Sequence, residues 1–555
     1  MDELSECGIP ARSYLKQALL NSDDPLKAIE EFQVENGILL PSLQTILPLL
    51  DLHSVPRLHF HTSVLEELRE ILLKQIEKLA KDGPSAENEK MNNLLEKSFP
   101  LIRIPAIQPI VMAILKNIEQ IDDKYLRQIV LDREIYSRCD ISVKRQIWQS
   151  HQDLFGEEVL PLFTKFLTEN HCLYTLDKQI SLNQTPRQRR QNEVLQSLVE
   201  MIGRNVLLYD TCLQFLRGLF RETSNTFYCT LRVDLLMSLH DAEISEITSM
   251  DPCHKFIWCL DACVREKNID PKRSRELQGF LEGVKRGQEE IIGDLAMTLS
   301  DPYAIKFLVG RTIQSLNYLA NTESLPRENA ILILILRLLN LALHSWDIIN
   351  SRKYHEPFLD PKIITKFLPI VMSLIVDDQV RSVNSKLPAD DRQSALTIIE
   401  HSGPPPDLFQ DFISKDRLAA LIAFHYIFQV IRQKDRTAIL RVLGCLSTVP
   451  ERILSDNRLY NILVTLLSTI PEDFATEEFC TVVFDEIFLS NLTKPGSNML
   501  IHLILLMHQV YKNLPTPRLD SLMKTLTACQ FESDEGKQLM ETLQEKVSAF
   551  LAETE

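Results

Sequence analysis

Cys253, His254, Cys259 and Cys263 put three thiols and an imidazole within eleven residues, in the stretch D-P-C-H-K-F-I-W-C-L-D-A-C at 251–263. Zinc sites and dithiol redox centres are built from such groups, since thiolate and neutral imidazole are ordinary zinc ligands. Helix geometry argues against both. Asp251 is a good N-cap and Pro252 a good first residue, so a helix is predicted from there towards Glu266. At about 100° per residue, the three cysteines fall within about 60° of Phe256, on one apolar stripe with Leu260. His254 points about 160° away, beside Asp261 and Arg265. The imidazole therefore cannot join the thiols on one ion without breaking the helix. Cys259 and Cys263 could still offer two ligands to a site completed elsewhere, but free cysteines pack readily as small hydrophobes. Core packing is the expectation, with no metal and no other cofactor.

Trp258 falls on the polar side of the same helix. Either the next helix of the array covers it or it anchors a partner, as aromatic residues amid polar ones often do. Trp258, His254, Asp261 and Arg265 are accordingly the candidate partner contacts. A second group of candidates is basic. Arg187, Arg189 and Arg190 sit in the polar segment 177–193 with no acidic residue after them until Glu193. They are expected on a mobile loop able to reach RNA or another phosphate. Lys272, Arg275 and Arg286 gather opposite the apolar face formed by Leu277, Leu281 and Val284, and are candidates for the same contact. Ser238, His240 and Asp241 stand together in sequence, but a catalytic triad needs convergence in space rather than along the chain. Neither a phosphate loop nor an H-E-x-x-H, G-x-S-x-G or G-x-G-x-x-G pattern occurs, so no enzyme is expected.

The elements that must position these residues read as helices. Glycine is scarce, 15 of 555 residues, which suits long helices. Apolar residues recur at helical spacing nearly everywhere, as at Leu65, Leu68, Ile71, Leu72 and Ile76. The helix carrying Ile331, Leu334, Ile335, Leu338, Leu339 and Leu343 is apolar on its other faces too, as in the middle of a stacked array. Asp-Pro pairs at 24–25, 251–252, 270–271, 301–302 and 360–361 mark predicted helix starts. The expected fold is all-α, an irregular HEAT-like helical repeat solenoid, with a set of helical bundles as the competing arrangement. The organisation expected is N-terminal repeats over 1–176, a polar and basic loop over 177–193 and central repeats over 194–376. A loop or linker over 377–414, holding S-G-P-P-P-D, and an acidic helical region over 415–555 would follow.

Charge narrows the function classes. The formal net charge of −16 excludes a globally basic nucleic-acid binder, leaving only local basic faces. Residues 451–555 hold 8 Lys and Arg against 16 Asp and Glu, half of the total excess. Eleven cysteines, an odd number without any C-x-x-C, point to a reducing compartment. The N-terminus shows no signal-peptide pattern, and the apolar run 330–336 is far shorter than a membrane span of roughly 20 residues. A membrane association is not expected.

Several long strings carry a family resemblance. Y-C-T-L-R-V-D-L-L-M-S-L-H-D (228–241), the cysteine stretch, R-E-L-Q-G-F-L-E-G-V-K-R-G-Q-E (275–289) and G-D-L-A-M (293–297) resemble the B subunit of negative elongation factor. So do P-L-K-A-I-E-E-F-Q-V-E-N-G-I-L-L-P-S-L-Q (25–44), L-L-E-K-S-F (94–99), V-K-R-Q-I-W-Q (143–149) and F-L-P-I-V-M-S-L-I-V-D-D (367–378). The matching strings stop near residue 380. The resemblance implies a HEAT-like, non-enzymatic subunit of a four-subunit nuclear complex. That complex holds RNA polymerase II near promoters together with the DRB-sensitivity-inducing factor, and so represses transcription. The B subunit would bridge the C/D subunit, which carries the A subunit, to the E subunit, and contribute to contact with nascent RNA. The chain ends in F-L-A-E-T-E without the proline-rich tail of vertebrate members, so contacts made by such a tail are not expected. The competing readings are a solenoid adaptor for transport or vesicle coats and a metalloprotein organised on Cys253–Cys263.

Overall fold

A computed structural model describes residues 17, 21, 25–36, 66, 69–79, 86–105, 107–171, 184–285, 290–384, 386–388, 405–448, 457–492, 498–529, 531 and 534–554. Among these residues helix is the rule and no strand occurs. The fold is all-α, as the residue spacing predicts. The chain forms two compact units, residues 1–154 and 155–555.

In the first unit α1 (Gln108–Asn117), α2 (Asp123–Leu131), α3 (Arg133–Arg138) and α4 (Ile141–Ser150) close round one core. Val111, Leu115, Ile129 and Ile147 lie fully buried there. Asp132 and Asp140 cap α3 and α4 by accepting from the backbone amides of Glu134 and Ser142 at 3.2 and 3.0 Å. Trp148 is buried with its indole N–H donated to the Tyr136 hydroxyl at 2.8 Å, so its one polar atom costs little. In the helix at 69–79 Ile76 faces this core, whereas Ile71 and Leu72 are exposed and Leu65 and Leu68 lie outside the described residues.

The second unit stacks α5 (Pro186–Arg190), α6 (Glu193–Ile202), α7 (Val206–Thr223), α8 (Phe227–Asp241), α9 (His254–Glu266), α10 (Pro271–Lys285), α11 (Ile291–Leu299), α12 (Pro302–Asn321) and α13 (Ala330–Leu343). Helix α8 is buried on every side and packs against α5, α6, α7, α9, α11 and α12. Helix α13 is buried on most of its faces, as its sequence predicts, and packs against α11 and α12. Further along, α14 (Leu368–Asn384), α15 (Asp407–Lys415), α16 (Arg417–Gln433) and α17 (Asn498–Val510) continue the helical pattern. The two ends of the predicted linker 377–414 are thus helix, in α14 and α15; residues 385 and 389–404, with the first half of S-G-P-P-P-D, lie outside the described residues. Among the described residues no single helix is long and apolar enough to cross a membrane; α13 and the helix after it meet the length and composition only as a pair bent by 51°.

The Asp-Pro starts at 270, 301 and 360 fall where expected, each aspartate accepting from the amide two residues on, at 2.8, 3.3 and 2.8 Å. Asp251 is different. Its carboxylate accepts from the Cys253 amide at 2.8 Å but also from the Tyr209 hydroxyl at 2.6 Å, and it faces Arg232. These ties hold residues 251–253 in a turn, so α9 begins at His254 rather than at Pro252.

Candidate contact surfaces on the central helices

The cysteines lie where helix geometry puts them. Cys253, Cys259 and Cys263 are at most 5 % exposed and pack in the core. Burial pushes the Cys253 thiol well above its ordinary pKa, and a hydrogen bond with Cys259 together with burial raises Cys263. Both shifts disfavour the thiolate that a metal or redox site needs, although the Cys259–Cys263 bond that raises Cys263 lowers Cys259. Among the described residues no three His, Cys, Asp or Glu side chains stand close enough to hold a metal ion.

On the opposite face Trp258 is 47 % exposed, so the expectation that a neighbouring helix covers it does not hold. Its ring lies 6.3 Å from that of His240, and His240 and His254 approach at 3.1 Å between Nδ1 and Nε2. Burial and the adjoining His240 lower the His254 pKa. Two of the four predicted partner contacts, exposed Trp258 and half-buried His254, therefore lie in one aromatic cluster with His240.

Asp261 does not belong to that surface. It is buried and forms ion pairs with Arg190 and, at 2.9 Å, with Arg265. Arg265 is exposed at its edge, held by this same pair.

Arg189 and Arg190 are the larger correction. They lie not on a mobile loop but in α5, which a capping box starts: Thr185 and Gln188 satisfy each other's backbone amides, and Pro186 takes the first helical position. Arg189 is buried and grips Asp234 of α8 with two nitrogens, at 2.8 and 2.9 Å, its guanidinium 4.0 Å from the centre of the Tyr303 ring. Arg190, half-buried, pairs with Asp241, at 2.9 Å, and with Asp261. The absence of acidic neighbours in sequence concealed partners 45, 51 and 71 residues away.

The pairs continue through the unit. Arg232 of α8 is fully buried between Asp251 and Asp294, and Arg217 of α7 grips Asp294 at 2.6 and 2.7 Å. Although burial alone would raise it, these two guanidiniums hold the Asp294 carboxyl below its ordinary pKa. Asp301 accepts from Thr230 at 2.7 Å, and burial, outweighing nearby Arg189, raises its pKa.

Of the remaining basic candidates, Arg187, Lys272 and Arg275 are exposed, and Arg286 lies outside the described residues. Lys272 and Arg275 share the outer face of α10. Arg187 instead lines a groove of about 750 Å³ between α5, the C-terminal end of α9, α12 and α16. Arg265 joins it there, together with Lys267, Lys306, Arg311 and Arg432, which the sequence reading did not single out. Burial first, then Arg432 and Lys267, lowers the Lys306 pKa to about 8. A helical-wheel reading would have found part of this site: Lys306, Phe307, Gly310, Arg311 and Gln314 share one face of α12. Arg432, more than a hundred residues later, was beyond any local pattern.

Comparison with known proteins adds a separate line. Residues 105–448 match the family described as Cofactor of BRCA1 (COBRA1). The chain is 50 % identical to Negative elongation factor B of Drosophila melanogaster over 99 % of its own length and 93 % of the relative's. It is 43 % identical to the Mus musculus protein and 42 % to the Homo sapiens protein of that name, over 98 % of this chain and 94 % of each relative. Similarity therefore continues well past residue 380, where the legible strings end.

Proposed function

The chain belongs to the negative elongation factor B family, and from that membership we propose that it is a non-catalytic scaffold subunit of the negative elongation factor complex. It acts in the nucleus, where the complex binds RNA polymerase II together with the DRB-sensitivity-inducing factor and enforces pausing near promoters. Its helical stack bridges the C/D subunit, which carries the A subunit, to the E subunit. The observation that supports this reading most is Trp258: a large aromatic left exposed on a helix whose other face is locked into the core. Such a ring contributes to a complex without being needed by the fold.

Reconstitution with the A, C/D and E subunits tests it. Trp258→Ala is expected to weaken assembly at least tenfold, about 1.4 kcal/mol or more, with the melting temperature of the isolated subunit within about 1 °C of the parent. Full assembly by the variant would remove Trp258 from the interface, and failure of the parent chain to assemble would remove the scaffold reading itself. Arg187, Lys272 and Arg275, all exposed, are the residues we assign to RNA contact within the complex.

A further inference from the structure

The groove beside α12 concentrates positive charge in a chain whose net charge is −16. Besides Arg189, six cations line it: Arg187, Arg265, Lys267, Lys306, Arg311 and Arg432, of which Arg265 is paired with Asp261. The one carboxylate in the lining, Glu266, is gripped by Arg273 through both oxygens at 2.5 Å and so is spent elsewhere. Arg311 donates to neutral groups, the Lys267 carbonyl and the side chains of Asn268 and Gln314, at 3.3, 3.1 and 2.6 Å. These bonds aim the guanidinium without cancelling its charge. Like charges held this close repel one another, and a bound polyanion relieves the repulsion.

We propose that this groove binds a small soluble molecule carrying several phosphate groups. Its volume suits a compact ligand, since small-molecule sites span roughly 300–1,000 Å³. A single nucleic-acid strand is the weaker fit. Strand-binding grooves set a series of aromatic rings along the backbone path for bases to stack on. Here the lining has only Tyr303, already stacked with Arg189, and Phe307. Gly310 gives the floor its openness: a Cβ placed there would meet no atom within 4 Å. A Cβ at 310 therefore meets no steric block from neighbouring elements.

Calorimetric titration of the full chain with myo-inositol hexakisphosphate, inorganic phosphate and a 20-nucleotide single-stranded RNA tests the proposal. The hexakisphosphate is expected to bind with a Kd of about 10 μM or tighter, and inorganic phosphate at least tenfold more weakly. Gly310→Glu, which sets a carboxylate on the floor, and the double variant Lys306→Ala with Arg311→Ala are each expected to lower hexakisphosphate affinity at least tenfold. The melting temperature of Gly310→Glu without ligand should stay close to the parent's, which separates loss of the site from loss of the fold. No hexakisphosphate binding by the parent chain, or affinity unchanged in both variants, overturns the proposal. So does RNA binding tighter than hexakisphosphate binding and abolished by the same variants, which would make the groove a strand site. None of these outcomes depends on assembly with sister subunits.

Discussion

Arg187 and Arg189 stand two positions apart, yet one faces solvent and the other is buried on Asp234. Breaking a buried ion pair by removing one partner strands the other charge and costs about 3–5 kcal/mol. Arg189→Ala is therefore expected to lower the unfolding free energy by about that amount in urea titrations, while Arg187→Ala changes it by less than about 0.5 kcal/mol. Equal effects at the two positions would contradict the placement. This contrast marks what sequence could reveal. The T-P-R-Q start at 185–188 was readable as a capping box and would have put the arginines on a helix. Their partners were not readable, because Asp234, Asp241 and Asp261 reach them only through the packing of three helices. The thiols of Cys253 and Cys263 were placed correctly by the same kind of reading, since one helix and its period are enough to separate a buried face from an exposed one.

At the scale of elements, periodicity predicted the helices and their inward faces but not which outward faces remain open. Trp258 was left between coverage by a neighbour and exposure, and only the finished stack decides for exposure. The reverse case is α17, where His502 sits on a helix of mainly apolar residues and is fully buried. Burial lowers its pKa to about 3. The unfolded chain, with an ordinary histidine pKa near 6.5, takes up a proton that the folded chain refuses, so stability falls as pH drops below that value. Between pH 7 and pH 5 the loss from this one residue is about 2 kcal/mol. Denaturant titrations at the two pH values should show that difference shrink by about this much in His502→Leu. A variant that keeps the full pH dependence would place its origin in other groups.

Over the whole molecule, acidity governs how phosphate is met. Long-range attraction is absent, so binding to nucleic acid rests on a few local cations. With Arg187, Lys272 and Arg275 as the RNA contacts, no more than about three counterions leave a single strand. The logarithm of affinity should then fall against the logarithm of salt concentration with a slope no steeper than about −2. Salt-dependent fluorescence anisotropy on the purified chain measures it, and a much steeper slope would demand a broader basic surface. The net charge was legible in composition; the groove that runs against it was not, because its cations come from four helices and one helix end distributed over residues 187–432.

The buried polar pairs of α8 also set a timetable for a growing polypeptide. Thr230 waits for Asp301, 71 residues later, and Arg232 for Asp294, 62 residues later. At roughly 5–20 residues per second, those partners leave the ribosome several seconds after α8 itself. Until then, closing the apolar faces of this helix would trap Arg232 with part of its countercharge missing, which burial penalises heavily. Charge inside α8 thus disfavours closing the central core before α11 and the start of α12 have been synthesised.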